Sequence, residues 1–98
     1  MLLLTIGQCL LILQKALDDL NFVIKMNKNH ARAYRARAEI FRRLGDATMA
    51  AINYTQAIRL SPADAEAYFR RAEMYEKVNL FTHKLSYFRL QNDIYILK

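Results

Sequence analysis

Glycine occurs twice and proline once in 98 residues, and tryptophan is absent. A small all-β domain needs turn residues every few positions, so this scarcity points instead to long, uninterrupted helices. Only Cys9 is available for thiol chemistry, and one cysteine cannot form an internal disulfide. Nothing in that usage asks for an oxidising compartment, and an intracellular, cytoplasmic location is the default. Gly7 and Gly45 alone cannot make a glycine-rich loop that cradles phosphate. His30 and His83 are far apart, with neither Cys-x-x-Cys nor His-Glu-x-x-His spacing nearby. No metal, cofactor or catalytic constellation is therefore expected, and the chain does not read as an enzyme. His30 reads as a polar turn residue and His83 as part of a solvated face. Cys9 has no basic neighbour to activate it and reads as a small buried hydrophobe.

What is present is strongly helix-forming: Ala, Leu, Arg, Met and Gln are abundant. The charge balance is 15 Lys+Arg against 9 Asp+Glu, a net +6, which favours acidic partners without specifying one. Residues 1–13 form an apolar run that is too short to span a bilayer, which takes about 20 residues. The run also lacks the preceding basic residue and the small-x-small cleavage site of a signal peptide. It reads as a helix that packs on the next one, with membrane association through residues 1–13 as the alternative.

Displaced by 34 positions, the sequence matches itself. Ala31, Ala33, Tyr34, Arg37, Ala38 and Glu39 align with Ala65, Ala67, Tyr68, Arg71, Ala72 and Glu73, and Phe41 aligns with Tyr75. Ala50 and Ile58 align with Ala16 and Ile24. Each unit reads as two helices. The first runs from about Asn29 to Leu44, with Tyr34, Ala38, Phe41 and Leu44 on one face. Gly45 supplies a left-handed C-terminal residue and Asp46 a cap for the second helix. That helix ends near Ser61-Pro62, where Ser61 can cap and Pro62 can take the first helical position. Asp64 then completes a near capping box. Gln14–Asn27 reads as the second helix of a preceding unit and Pro62–Lys77 as another first helix. Asn79 reads as a turn before a last helix over Leu80–Leu97.

The spacing of these residues resembles the tetratricopeptide repeat. In the copy from Ala31 to Asp64, Tyr34 stands for the leading aromatic, Arg37-Ala38 for Leu-Gly and Phe41 for Tyr. Ala50 and Tyr54 match the Ala-x-x-x-Phe pair, and Pro62 matches the Pro. Tyr68, Ala72 and Tyr75 repeat the first-helix positions, and Ala57 is a further small residue on the second helix. Close helix crossings are expected at Ala38, Ala50 and Ala72. The resemblance implies an all-α fold of antiparallel helix pairs stacked as a right-handed α-solenoid, with about five or six helices. Residues 1–28 would hold an atypical apolar helix and the second helix of a degenerate repeat. Residues 29–62 would form the complete repeat, and residues 63–98 a second repeat with a degenerate last helix. In that last unit Lys84, Gln91 and Ile96 depart from the pattern, while Phe88 keeps its aromatic place. The ending Ile94-Tyr95-Ile96-Leu97 lacks the polar outer face of a cap, so the chain reads as a piece or short isoform of a longer array.

Such repeats bind a peptide or helix in a concave groove lined by first helices. Position by position, the resemblance implies a partner-binding groove of Arg32, Arg35, Glu39, Arg42, Glu66, Phe69, Arg70 and Glu73, with the Arg35 and Arg42 heads in solvent. Arg37 and Arg71 are expected to lay their stems on apolar surface and keep their heads in water. The family's terminal-carboxylate clamp is not matched, since Arg35, Glu39 and Glu66 stand at its Lys and Asn places and only Arg70 is similar. The partner implied is another protein, through an acidic segment with an apolar anchor. The competing reading is weak nucleic-acid binding by the basic surface beside Tyr34, Tyr68 and Tyr75; those tyrosines occupy core positions of the motif, which disfavours base stacking.

Overall fold

Each helix begins where a polar side chain takes up a free backbone N–H. Thr5 accepts from the Gln8 N–H at 3.1 Å while the Gln8 side chain accepts from the Thr5 N–H at 2.9 Å, a complete capping box. Nδ1 of His30, Oδ1 of Asp46 and Oδ1 of Asp64 accept from Ala33, Met49 and Ala67 at 3.1, 3.0 and 3.2 Å. The computed structural model describes the backbone of residues 5–96 and the side chains of residues 5–80. These caps open four helices: α1 (Ile6–Met26), α2 (Ala31–Arg43), α3 (Ala47–Leu60) and α4 (Ala65–Ile96). No strand occurs among the described residues.

The connections copy one another. Asn27 closes α1 with its N–H on the Val23 carbonyl at 2.9 Å, and Ser61 closes α3 with its N–H on Ala57 at 2.8 Å. Thus Asn27 and Ser61 are equivalent C-caps, and His30 and Asp64 equivalent N-caps, each pair one repeat period apart. The expected capping by Ser61 with Pro62 at the first helical position is corrected here. Pro62 and Ala63 form a turn, and α4 starts at Ala65 behind Asp64. A carboxylate caps as well as a hydroxyl does, and the turn uses the fixed φ of Pro62. Between α2 and α3 the chain reverses at Gly45, whose φ of +83° suits glycine.

The described fold has four helices, not the five or six expected. No Gly or Pro interrupts Gln8–Met26, so α1 is a single helix of 21 residues. Asn79 is not a turn: α4 runs through it for 32 residues, about 48 Å at the helical rise. Asn79 occupies the place of Gly45, but unlike glycine it also sits acceptably within a helix. Leu97 and the side chains of His83, Lys84, Phe88, Gln91 and Ile96 lie outside the described residues. No described helix is long and apolar enough to cross a membrane.

Each helix packs chiefly on its neighbour in sequence: α1 on α2, α2 on α3, α3 on α4. The central core lies between α2, α3 and the first half of α4. It contains Ala38, Ala50 and Tyr54, all wholly buried, with Ala51, Ile58, Ala67 and Met74 beside them and Phe41 against its edge. Ala57 is also buried. Small residues at Ala38 and Ala50 let α2 and α3 approach closely, as expected. Ala72 differs: it is exposed, because α4 continues unbroken past Asn79 and no described helix folds back over it. For the same reason Tyr68 and Tyr75 are exposed while Tyr34 is half-buried. Cys9, expected to be buried, is exposed on α1, where only one side of the helix is covered.

The Arg37 head does not extend into water. Nε donates to Asn53 Oδ1 at 2.7 Å and Nη1 to Asn21 Oδ1 at 3.0 Å, so one guanidinium ties α1, α2 and α3 together. It also sits over the Tyr34 ring at 5.4 Å, and Arg71 sits over Tyr68 at 5.4 Å. Arg71 donates to Thr55 at 3.4 Å.

The two alanines therefore differ in what surrounds them. Ala50→Leu is expected to cost about 1–3 kcal/mol by overpacking the crossing. Ala72→Leu, on an exposed face, is expected to stay within about 0.5 kcal/mol of the parent. Urea unfolding of both variants checks this; equal losses would show that the assigned crossing is wrong.

Candidate interaction groove

α1 and α2 diverge enough to leave an open groove of about 690 Å³. Ala16, Asp19 and Leu20 of α1 form one wall; Arg32, Arg35, Ala36, Glu39, Ile40 and Arg43 of α2 form the other. The i, i+3, i+4 spacing of Arg32, Arg35, Ala36, Glu39 and Arg43 puts them on one helical face. Leu20, Ala36 and Ile40 give the groove an apolar floor under a mainly cationic rim.

Of the expected groove residues, Arg32, Arg35 and Glu39 line this groove. Phe69 and Glu73 instead line a separate shallow depression on α4 with Ala72, Tyr75 and Glu76. Most of the expected charges are already paired within the fold. Arg35 donates Nη1 to Asp64 and Nη2 to Glu66, each at 3.2 Å, bridging α2 to the start of α4. Arg42 donates Nε and Nη2 to Glu39 Oε2 at 3.2 and 2.6 Å. Arg70 pairs with Glu73 at 3.1 Å and sits over Phe69 at 5.9 Å. The Arg35 and Arg42 heads are thus held in ion pairs, not free in solvent. Among the described residues that line this groove, the exposed charged groups that make no ion pair are Arg32 and Arg43 on α2 and Asp19 on α1.

Glu39 is the junction. Its other oxygen, Oε1, accepts a short hydrogen bond from the Tyr54 hydroxyl, so α3 reaches under α2 to brace the rim. Burial alone would raise the Glu39 carboxyl, but hydrogen bonds from Tyr54 and Arg42 and the charges of Arg42 and Arg70 hold it below its ordinary value. Burial, then the bond to the Glu39 carboxylate, pushes the Tyr54 phenol up. The Arg42 guanidinium is held charged chiefly by its bond to Glu39.

Several residues here had no signal in the sequence reading. Arg43, Asp19 and Ala36 line the groove, and Asn53 is wholly buried. Arg37–Asn21, Arg37–Asn53 and Arg71–Thr55 all join positions sixteen apart; that recurrence was the available clue. The Tyr34 and Tyr68 ring faces are each covered by an arginine of the same helix. Among the described residues no group of three or more His, Cys, Asp or Glu is placed to hold a metal ion.

No family model matches the chain, nor does any curated protein or solved structure.

The depressed Glu39 carboxyl gives stability that is present above the ordinary carboxyl value of 4.5 and is lost as pH falls through the lower folded value. Glu39→Gln is therefore expected to be less stable than the parent by about 1 kcal/mol at neutral pH. The difference should shrink as the pH is taken from neutral to well below 4.5, through the lower folded value. Urea unfolding across that range measures it; a difference that does not change with pH would remove Glu39 from this role.

Proposed function

We propose that the chain is a protein-interaction module of the tetratricopeptide-repeat type, a scaffold whose α1/α2 groove receives a helix or peptide of a partner protein. Support for the repeat assignment comes from equivalent caps at Asn27 and Ser61 and at His30 and Asp64, and from the matching Arg37–Tyr34 and Arg71–Tyr68 stacks. On this reading the helices stack as a right-handed solenoid in which each pair buries a face that it cannot bury alone.

The observation that carries the binding assignment is the division of charge in the groove. Arg35 and Glu39 are engaged in ion pairs, while two cations, Arg32 and Arg43, against one carboxylate, Asp19, are left unpaired around Leu20, Ala36 and Ile40. An unpaired cationic rim over an apolar floor fits an acidic segment with an apolar anchor. The charges steer encounter, and the anchor sets the lifetime of the complex.

The test is fluorescence anisotropy with a labelled acidic amphipathic peptide bearing one leucine anchor. The double variant Arg32→Glu, Arg43→Glu is expected to bind at least about tenfold more weakly, with little change in melting temperature. Binding to the parent should weaken as salt rises to physiological strength, where exposed charges are screened beyond about 8 Å. A bare polyanion that binds as tightly as the peptide, or a double variant with parental affinity, would overturn the groove assignment.

A further inference from the structure

The interior of the fold shows how one helix fits the groove formed by the next two. α2 lies against α3 with Ala38 and Ala50 wholly buried. Arg37 Nε donates to Asn53 across that contact at 2.7 Å. Farther along α2, Arg35 reaches Glu66 of α4 at 3.2 Å. One repeat forward, α2 becomes the first part of α4; one repeat back, α3 becomes the second part of α1 and the first part of α4 becomes α2. Ala72 then takes the place of Ala38 and Ala16 that of Ala50. Arg71 faces Asp19 where Arg37 faces Asn53, and Phe69 faces Arg32 where Arg35 faces Glu66. Within one chain these pairs lie at opposite ends of the helix order, and Ala72, Asp19, Phe69 and Arg32 are all exposed.

We infer that α4 of one copy docks into the α1/α2 groove of a second copy, continuing between molecules the packing that α2 makes inside one. This rests on the reading of that groove as a helix-binding site and names the helix. Charge complementarity supports the choice of occupant. Arg37 uses both Nε and Nη1 on asparagines, whereas Arg71 gives Nη1 to Thr55 and its Nε bonds to nothing among the described residues. In the docked arrangement that Nε meets the Asp19 carboxylate, a charge-assisted bond stronger than its internal counterpart. The unpaired Arg32 guanidinium meets the Phe69 ring, a cation–π contact. One internal bond has no equivalent: Leu20 stands where Tyr54 donates to Glu39, so the contact between copies is the weaker one. Because the two surfaces differ, association is head-to-tail and open-ended, growing with concentration rather than stopping at a dimer.

Sedimentation of the full chain over rising concentration tests this. The parent is expected to show a weight-average mass that climbs above the monomer. Asp19→Arg alone and Arg71→Asp alone each set like charges face to face and should move that rise at least about tenfold higher in concentration. Mixed in equal amounts, the two variants should recover the parental curve, since one contact is then charge-swapped and the other is parental. Ala72→Arg should stay monomeric with an unchanged melting temperature, and it carries the test with Asp19→Arg if Arg71→Asp fails to fold. A parent that remains monomeric up to about 1 mM overturns the inference. So does a mixture no better than its components. A sharply lowered melting temperature for Ala72→Arg would also overturn it, by placing the chain's own residues 80–96 on that face. A monomeric parent that still loses the acidic peptide on Arg32→Glu, Arg43→Glu would overturn the second copy as occupant and leave the groove reading standing.

Discussion

The close approach of α2 and α3 at Ala38 and Ala50 is the constraint on which the rest depends. With no side chain beyond a methyl at either position, both residues are wholly buried and the two backbones come near enough for short polar links between them. Tyr54 can then place its hydroxyl on Glu39, and Arg37 can place Nε on Asn53. A wider separation would leave Asn53 buried without its partner, a larger loss than the missing contact alone.

The same geometry decides which charges face outward. Glu39 is a partner-binding candidate by position, yet one of its oxygens belongs to Tyr54 and the other to Arg42. Arg35 is divided between Asp64 and Glu66. These groups shape the rim and hold it rigid. Arg32 and Arg43, one turn from the paired residues on either side, make no ion pair among the described residues. The groove's electrostatic character is therefore set by what the internal pairs leave over, not by the total of basic residues on the helix.

Much of the fold was legible in the sequence because the repeat period fixes equivalences that local propensity alone would miss. The all-helical fold, the Gly45 reversal, the Asp46 cap and the buried Ala38, Ala50, Ala57 and Tyr54 follow from it, but the count of four helices does not, since the period led to five or six. The departures come where a residue's state depends on a neighbour outside its own helix. Ala72 matches Ala38 in sequence, but nothing described covers it. Asn79 sits at the place of Gly45, and its intrinsic preference is too weak to force a reversal. Ser61 and Asp64 are both capable N-caps, and the choice between them is made by the whole connection. Of the expected groove positions, Arg32, Arg35 and Glu39 on α2 line the α1/α2 groove. Its far wall on α1, and the separation of Phe69 from it, required knowing how the helices splay.

Packing chiefly between sequence neighbours has a consequence for how the molecule opens. α2 and α3 are each flanked on two sides, whereas α1 rests chiefly on α2. Protection of backbone amides from exchange with solvent should thus form a gradient along the chain, highest in α3 and falling through α2 toward the exposed first turns of α1. Arg37, bonded to Asn21 on one side and Asn53 on the other, is the stitch at which that gradient steps. Amides of α1 beyond its reach can open without disturbing the core, while those beside Asn21 open together with the seam it closes.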